Sequence, residues 1–272
     1  MRAEEMAFLE LLMARIVKRG IHRILQAFGY DIVRVPPNSA KTPPQAFPPD
    51  FDEPTKELIK YVQPYTMTSM ERLFSLRQSV EYIVRNNIPG GVVECGVWKG
   101  GSMMAVARIL IELGAADRSL YLFDTFDGMS APTAADRQFS GEGAADLLLQ
   151  SPKEKGLIWA YSPLDEVRRA MRDTGYPEDK IIFVKGKVEE TLPKDAPKEI
   201  SILRLDTDWY ESTFHELLHL YPRLSVGGVL IIDDYGHWEG ARRAVDDYVK
   251  RQKLPLLLNR IDYSGRICVK PG

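Results

Sequence analysis

Val92-Val-Glu-Cys-Gly-Val-Trp-Lys-Gly-Gly-Ser102 is the stretch that decides the fold. An apolar run leads into a glycine-containing turn, and helical spacing of apolar residues begins at about Ser102. Gly96 permits a tight turn and a close approach by a ligand. The free N–H groups at the start of the following helix favour a carboxylate or phosphate. The stretch lacks the G-x-G-x-x-G spacing of dinucleotide-binding turns, so a plain strand–helix turn is the alternative interpretation.

Outward from this stretch, short apolar runs alternate with helical patterns. Strands are predicted at 91–95, 120–124, 180–185, 200–206 and 228–233, and a hairpin at 254–269. Helices are predicted at 68–85, where Thr68 and Glu71 form a capping box, and at 102–113, 162–174, 211–222 and 239–251. This alternation predicts an α/β fold, a doubly wound and mostly parallel Rossmann-like sheet with helices on both faces.

Acidic residues follow three of the predicted strands. Asp124 ends the second strand, where an acid commonly accepts hydrogen bonds from ribose hydroxyls, although Asp is also a favoured helix cap. Asp206 and Asp208 follow a later strand, and Asp233 and Asp234 follow the next. The carboxyl ends of parallel strands share one edge, so these carboxylates would repel one another unless a hard cation neutralised them. Their oxygen ligands predict Mg²⁺ or Ca²⁺ and not zinc, the alternative being that each Asp caps a helix.

The N-terminal region differs from this pattern. Residues 6–27 have the spacing of a basic amphipathic helix within a predicted arm at 1–35, and residues 36–55 form a proline-rich linker before a domain at 56–272. We expect the arm to pack on the body or on a second subunit of a homo-oligomer, with membrane-surface contact as the alternative. Residues 127–161 are interpreted as an insertion that covers a site.

Composition excludes several classes of protein. Lys plus Arg is 36 and Asp plus Glu is 38, and this near-balance argues against a nucleic-acid partner. The two cysteines, Cys95 and Cys268, exclude a disulfide scaffold and fit a reducing compartment. The sequence has no run of about 18 apolar residues and no clear secretory signal, so a cytoplasmic protein is expected.

One motif points to a different chemistry. His215-Glu-Leu-Leu-His219 matches H-E-x-x-H, in which two histidines one helical turn apart bind zinc and the Glu216 equivalent is the general base. The remaining histidines, His22 and His237, are far away in sequence, although an acid could provide a third ligand. We therefore interpret the motif as an accidental match and keep a zinc peptidase as an alternative.

The chain resembles the macrocin O-methyltransferase (TylF/MycF/NovP-like) family of class I S-adenosylmethionine-dependent methyltransferases. The resemblance covers roughly residues 60–250. It rests on Glu94-Cys-Gly-Val-Trp-Lys-Gly-Gly-Ser102, Phe123-Asp-Thr-Phe-Asp-Gly-Met129, Leu203-Arg-Leu-Asp-Thr-Asp-Trp-Tyr-Glu-Ser-Thr213, Leu220-Tyr-Pro-Arg-Leu224 with Gly227-Gly228, and Ile231-Ile-Asp-Asp-Tyr-Gly236.

The resemblance implies roles for the matching positions. The implied cofactor-binding residues are Thr66, Met67, Glu94, Gly96, Ser102, Asp124, Gly186 and Lys187. At Lys187 the family often has an aromatic residue beside the adenine. Asp206, Asp233 and Asp234 would hold Mg²⁺, and Asp208 would be the general base, so that Asp206 and Asp208 are the implied catalytic residues.

The implied activity is a Mg²⁺-dependent O-methyltransferase with S-adenosylmethionine as co-substrate. Its acceptor would be a vicinal diol, expected on a sugar of a glycosylated natural product, such as an antibiotic, or of a glycan. Mg²⁺ bound to two neighbouring hydroxyls lowers the pKa of the attacking one, which Asp208 can then deprotonate. A catechol acceptor would offer the same adjacent oxygens, and a scaffold protein that binds the cofactor without catalysis is a further alternative.

Overall fold

The computed structural model describes residues 47–154 and 156–272. Its strands are β1 (Gly91–Cys95), β2 (Leu120–Asp124), β3 (Ile181–Lys185), β4 (Ile200–Leu205), β5 (Leu224–Ile232), β6 (Asn259–Arg260) and β7 (Arg266–Val269). They form one seven-stranded sheet in the order β3-β2-β1-β4-β5-β7-β6. β1 to β5 pair in parallel, whereas β7 is antiparallel to both β5 and β6. The strand order reverses at β1, which opens a crevice at the carboxyl ends of β1 and β4.

Two groups of helices cover the sheet. The helices are α1 (Glu53–Val62), α2 (Met70–Arg85), α3 (Gly101–Glu112), α4 (Ala144–Leu149), α5 (Leu164–Arg172), α6 (Val188–Thr191), α7 (Tyr210–Leu220) and α8 (Glu239–Gln252). α1, α2, α3 and α5 pack with one another, as do α6, α7 and α8. The predicted doubly wound, mostly parallel sheet is confirmed.

Strand alternation assigns different chemistry to the two faces of the central strands. Val93 and Leu203 join Leu217 of α7 and Val245 of α8 in one apolar core. The intervening residues of β1 and β4 point to the opposite face, where Glu94 is the register partner of Arg204. A buried ion pair therefore lies between the two central strands, directly below the crevice.

Local hydrogen bonds correct two predicted boundaries. Ser69, and not Thr68, caps α2, because its hydroxyl accepts from the Arg72 N–H at 3.2 Å. The Asp52 carboxylate caps α1 by accepting from the Thr55 N–H at 2.9 Å. Since α1 begins at Glu53, the linker predicted to reach residue 55 ends before that helix.

The two segments that flank the crevice were predicted in outline. The C-terminal hairpin is confirmed, with the Ile261 N–H donating to the Gly265 carbonyl at 3.0 Å across its turn. The insertion at 127–161 contains α4 and a 3₁₀ turn, Leu157–Trp159. The Trp159 indole donates to the carbonyls of Leu148 and Ser151, which ties the segment to itself.

The predicted arm at 1–35 and most of the linker lie outside the described residues. The boundary between the arm and the linker, and the homo-oligomer built through the arm, stay predictions. No helix in the described ranges is both long and apolar enough to cross a membrane.

Candidate active site

A cavity of about 380 Å³ opens at the carboxyl ends of β1 to β5. Eleven of the twelve site residues predicted from the sequence line it, and they come from six separate stretches of the chain. They are Thr66, Met67, Gly96, Ser102, Asp124, Gly186, Lys187, Asp206, Asp208, Asp233 and Asp234. Glu94 is the exception, because its side chain is buried beneath the cavity and does not line it.

The wall that follows β1 is built mainly from backbone. Gly96 has φ +81°, its N–H donates to the Phe123 carbonyl at 2.9 Å, and a Cβ there would overlap the Asp206 carbonyl oxygen. At the start of α3, a Cβ on Gly101 would lie 2.6 Å from the Tyr65 carbonyl oxygen. Glycine therefore lets the segment before α2 cross the start of α3, where the first N–H groups have no helical partner.

Asp124 holds this wall together and keeps one acceptor position. One carboxylate oxygen accepts from the N–H groups of Val97 and Trp98 at 2.6 and 3.0 Å, and the other accepts from the Phe126 N–H at 2.7 Å. The single proton of the Thr125 hydroxyl is engaged by the Gly128 carbonyl at 2.6 Å. Because a carboxylate accepts about four hydrogen bonds, Asp124 can still accept one from a ligand hydroxyl.

Glu94 has a different position from the one expected of a cofactor-lining residue. One of its oxygens accepts from Arg204 at 2.5 Å, and the other has no hydrogen-bond partner among the described residues. Burial raises the pKa of Glu94 to about 8. Its direct partner is thus Arg204, and its orphaned oxygen is a buried acceptor next to the crevice.

Three carboxylates meet at the other wall. Asp206, Asp208 and Asp234 each bring an oxygen to within 4.8 Å of the others, and one oxygen of Asp234 has no partner in the described chain. Burial raises the pKa of Asp208 to about 7 and, with neighbouring carboxylates, raises the pKa values of Asp206 and Asp234 well above their usual range. Asp208 has φ +67°, so its backbone is held in an uncommon conformation at this cluster.

Asp233 is engaged by two arginines and lies outside this trio. One of its oxygens accepts from Arg72, and the other accepts from Arg204 at 2.6 Å. Arg204 also donates to Asp206 at 2.7 Å, and the Arg72 guanidinium lies 3.0 Å from Asp262. The set implied by the resemblance, Asp206, Asp233 and Asp234, is therefore not the set that the structure gathers, because Asp208 takes the place of Asp233.

Charge is not balanced in this region. Within the part of the chain that the structure describes, its six carboxylates pair with two guanidinium groups, those of Arg72 and Arg204, so four negative charges are left without a partner there when every carboxylate is ionised. The carboxylates are those of Glu94, Asp206, Asp208, Asp233, Asp234 and Asp262. Either protons or a bound cation must offset that repulsion, and hard oxygen ligands of this kind bind Mg²⁺ or Ca²⁺.

The zinc motif does not form a metal site. His215 is within 3.4 Å of the Leu192 carbonyl, and its ring packs edge-on against that of His219. Glu216 is fully buried and accepts from the Thr207 hydroxyl at 2.9 Å. The trio Asp206, Asp208 and Asp234 is the single group of metal-ligating side chains found in the described ranges.

Several lining residues were missed by the sequence analysis. Arg204 could have been suspected, because it is a charged residue inside the apolar run of a buried strand. Arg72, His237 and Tyr263 gave no local signal, since they come from a helix, a loop and a hairpin turn. Trp238 also lines the cavity, and Trp209 packs behind it with ring centroids 4.9 Å apart.

This sheet, with a glycine-rich wall at its switch point and carboxylates on the next strands, defines a class I methyltransferase. The sequence model of the family described as Macrocin-O-methyltransferase (TylF) matches residues 46–269. The chain therefore belongs to that family, and it is an S-adenosylmethionine-dependent O-methyltransferase.

Individual relatives agree with this assignment. Demethyldecarbamoylnovobiocin O-methyltransferase of Streptomyces niveus is 34% identical over 201 residues, which are 74% of each chain. 8-Demethyl-8-(2,3-dimethoxy-alpha-L-rhamnosyl)-tetracenomycin-C 4'-O-methyltransferase of Streptomyces olivaceus is 35% identical over 201 residues, again 74% of each chain. The solved structure of the O-methyltransferase NovP has a TM-score of 0.67 and 32% identity, covering 76% of this chain and 83% of that one.

Proposed function

We propose that this O-methyltransferase depends on Mg²⁺ and methylates one hydroxyl of a vicinal diol on a sugar. The observation that carries the proposal is the trio of carboxylates at the cavity wall, with an unpartnered buried oxygen on Asp234. The name of the relative from Streptomyces olivaceus includes a rhamnosyl group, which supports a sugar acceptor.

The wall that follows β1 to β3 fits the cofactor. The spare acceptor position of Asp124 suits a ribose hydroxyl, and the start of α3 suits the carboxylate of a methionine moiety. The orphaned oxygen of Glu94 suits an ammonium group nearby. Thr66 and Met67 border the cavity from the segment that crosses the start of α3, and Gly186 and Lys187 border it beyond β3.

The acidic wall fits a hard divalent cation. Mg²⁺ is commonly held by one or two carboxylates together with water and substrate oxygens. Asp206 and Asp234 are the two carboxylates that both the resemblance and the distances include, so we assign them as ligands. When bound, S-adenosylmethionine supplies an activated methyl group, and the cation lowers the pKa of a coordinated hydroxyl and fixes its direction.

The chain itself must then remove a proton and keep the acceptor aligned. We assign removal of the hydroxyl proton to Asp208. Its carboxylate lies within 4.8 Å of oxygens from Asp206 and Asp234, so it is within reach of a hydroxyl held there. Arg204 holds Asp206 in place from below. Alignment of the acceptor behind the methyl group accounts for much of the rate enhancement expected in such a reaction.

The identity of a third cation ligand is open between two residues. The resemblance implies Asp233, whereas the distances favour Asp208. Calorimetric Mg²⁺ titration of Asp233→Asn and Asp208→Asn decides between them. Weaker binding in Asp233→Asn alone makes Asp233 the ligand and leaves Asp208 as the base. Weaker binding in Asp208→Asn alone makes Asp208 a ligand and removes it as the base.

The acceptor class is tested by a matched pair of glycosides. The purified protein is given S-adenosylmethionine, Mg²⁺ and either a methyl glycoside with two adjacent free hydroxyls or its analogue that lacks one of them. We expect methylation of the diol and, on the deoxy analogue, a large loss of kcat/KM. Equal rates on the two compounds, or preferential methylation of a catechol, would contradict the proposed acceptor.

A further inference from the structure

We propose that Thr207 and Glu216 are a buried pair of positioning residues beneath the acidic wall. This Thr207–Glu216 pair holds the turn that carries Asp206 and Asp208 in the shape that methyl transfer needs. Glu216 is the glutamate of the zinc-like motif, so the motif contributes to the reaction through this residue and not through its histidines. The inference rests on the proposed function, since it concerns how the chain aims the carboxylates assigned to the cation and the proton.

The turn that carries Asp208 has a strained backbone. The Trp209 N–H donates to the Thr207 carbonyl at 2.8 Å, which closes a three-residue γ-turn with Asp208 at its centre. Asp208 has φ +67°, a value typical of the rare and strained classic form of this turn. A strained conformation of this kind persists only where the surrounding structure fixes it. The direction of the Asp208 carboxylate therefore depends on contacts made by its neighbours.

Thr207 makes those contacts through both its carbonyl and its side chain. Its carbonyl accepts from the Trp209 N–H and lies 3.4 Å from the Ser212 hydroxyl. Its own hydroxyl donates to Oε1 of Glu216 at 2.9 Å, nine residues further along the chain. A hydroxyl has one proton to donate, so this bond sets the direction of the Thr207 side chain. The bond ties the strained turn to the buried face of α7.

Glu216 is a costly residue at its position. It is fully buried on the face of α7 that also carries Thr213, Leu217 and Leu220. Its Oε2 has no hydrogen-bond partner within the part of the chain that the structure describes. Burial of a carboxyl group with one oxygen unsatisfied lowers stability, and an apolar side chain would fill the same space without that cost. Natural proteins tolerate such local conflicts mainly at functional sites.

The Thr207–Glu216 pair lies directly behind the carboxylate trio. Thr207 borders the cavity together with the three carboxylates. Burial raises the pKa of Glu216 well above its usual range, and the nearby charges of Asp206 and Asp234 add to this effect. The Asp206 N–H donates to the Cys95 carbonyl at 2.8 Å, so the main chain of β1 holds the start of the turn. The pair holds the middle of the same turn, between the two carboxylates that must keep their spacing.

The test compares Thr207→Val, which removes the hydroxyl and keeps the branched shape, with Thr207→Ser, which keeps the hydroxyl. At saturating Mg²⁺, Thr207→Val should lower kcat on a diol glycoside about tenfold, because Asp208 is no longer aimed at the hydroxyl. Calorimetric binding of Mg²⁺ should weaken about fivefold, since Asp206 belongs to the same turn. The KM for the glycoside and the affinity for S-adenosylmethionine should stay within about twofold of the wild-type values. Thr207→Ser and Glu216→Gln keep the donor and the acceptor, so both should retain most of the wild-type kcat.

Two further variants separate positioning from stability. Thr207→Val combined with Glu216→Leu removes both polar partners, and such a replacement is nearly neutral for folding. Its free energy of unfolding in urea should be closer to the wild-type value than that of Thr207→Val alone, while kcat stays about tenfold low. Thr174→Val is the control, because it removes a buried hydroxyl that donates to the Met171 carbonyl at 2.6 Å outside the cavity. It should lose stability and keep the wild-type kcat.

Three outcomes overturn the inference. They are a wild-type kcat and Mg²⁺ affinity in Thr207→Val, an equal loss in Thr207→Ser, and a double variant that regains the rate together with the stability. The last result would make the Thr207–Glu216 pair structural only. A wild-type protein that methylates the diol without Mg²⁺ contradicts the proposed function instead, and the ratio of kcat between Thr207→Val and Thr207→Ser then still decides whether the pair positions Asp208.

Discussion

The two walls of the cavity are built by different means. The wall beyond β1, β2 and β3 is made of glycines, backbone N–H groups and Asp124, whose hydrogen bonds come mostly from main chain. The wall beyond β4 and β5 is made of carboxylates, with Arg72 and Arg204 underneath. The first wall is nearly satisfied without a ligand, whereas the second has more negative charge than its own residues neutralise. The proposed function accounts for this difference: the first wall would be a preformed cofactor site, and the second would be completed by a cation.

Removing one carboxylate of the acidic wall should have the largest effect. Asp234→Asn should lower kcat about a thousandfold, because activation by a bound metal is worth several kcal/mol. S-adenosylmethionine affinity should stay nearly unchanged, since Asp234 lies on the opposite wall. Asp246→Asn, which alters a surface carboxylate bonded to Tyr235, is the matched control. Equal weakening of cofactor binding and catalysis would mean that the two walls are not separate.

Arg204 tests how the acidic wall is supported. Its side chain is 4% exposed and contacts Glu94, Asp206 and Asp233. Arg204→Met should lower the free energy of unfolding by about 3 kcal/mol, since breaking a buried ion pair leaves carboxylates uncompensated. Urea unfolding measures this. Arg243→Met, which removes an exposed arginine 3.7 Å from Asp247, should cost less than about 1 kcal/mol. Similar losses in the two variants would show that Arg204 does not hold the wall together.

A smaller effect is expected when a single methyl group is added to the wall that follows β1. Gly96 and Gly114 both have positive φ, but only at Gly96 would a Cβ overlap another part of the chain, whereas Gly114 has open space. Gly96→Ala should therefore be about 2 kcal/mol less stable than Gly114→Ala and should bind S-adenosylmethionine more weakly. Thermal unfolding and cofactor titration compare the pair, and equal stabilities would contradict the close packing inferred at Gly96.

The two walls also differ in how much the sequence predicts. The wall beyond β1, β2 and β3 can be predicted from local sequence patterns, because the glycines and Asp124 lie beside strands whose apolar runs are easily recognised. The positions of four aspartates directly after predicted strands also indicated that they share one edge of the sheet. They are Asp206, Asp208, Asp233 and Asp234. Which carboxylates cluster and which pair with arginines depends in part on Arg72 of α2. Nothing in the sequence around Arg72 predicts that contact. The same holds for the ring contacts among Phe139, His237 and Tyr263, whose segments are more than 20 residues apart in sequence.

The smallest effect is expected at the zinc-like motif. His219→Gln alters a partly buried residue on α7 whose ring contacts His215. Methyl transfer and metal content should be unchanged, because neither histidine belongs to the carboxylate trio. Loss of bound zinc together with loss of activity would restore the peptidase alternative.

The central claim is that the acidic wall needs a divalent cation for methyl transfer. The most direct measurement is the initial rate on a diol glycoside after the protein has been treated with chelator and dialysed, before and after Mg²⁺ is restored. We predict a rate near zero that returns with added Mg²⁺ in the wild-type protein and does not return in Asp234→Asn. Full activity of the chelated protein would contradict the claim.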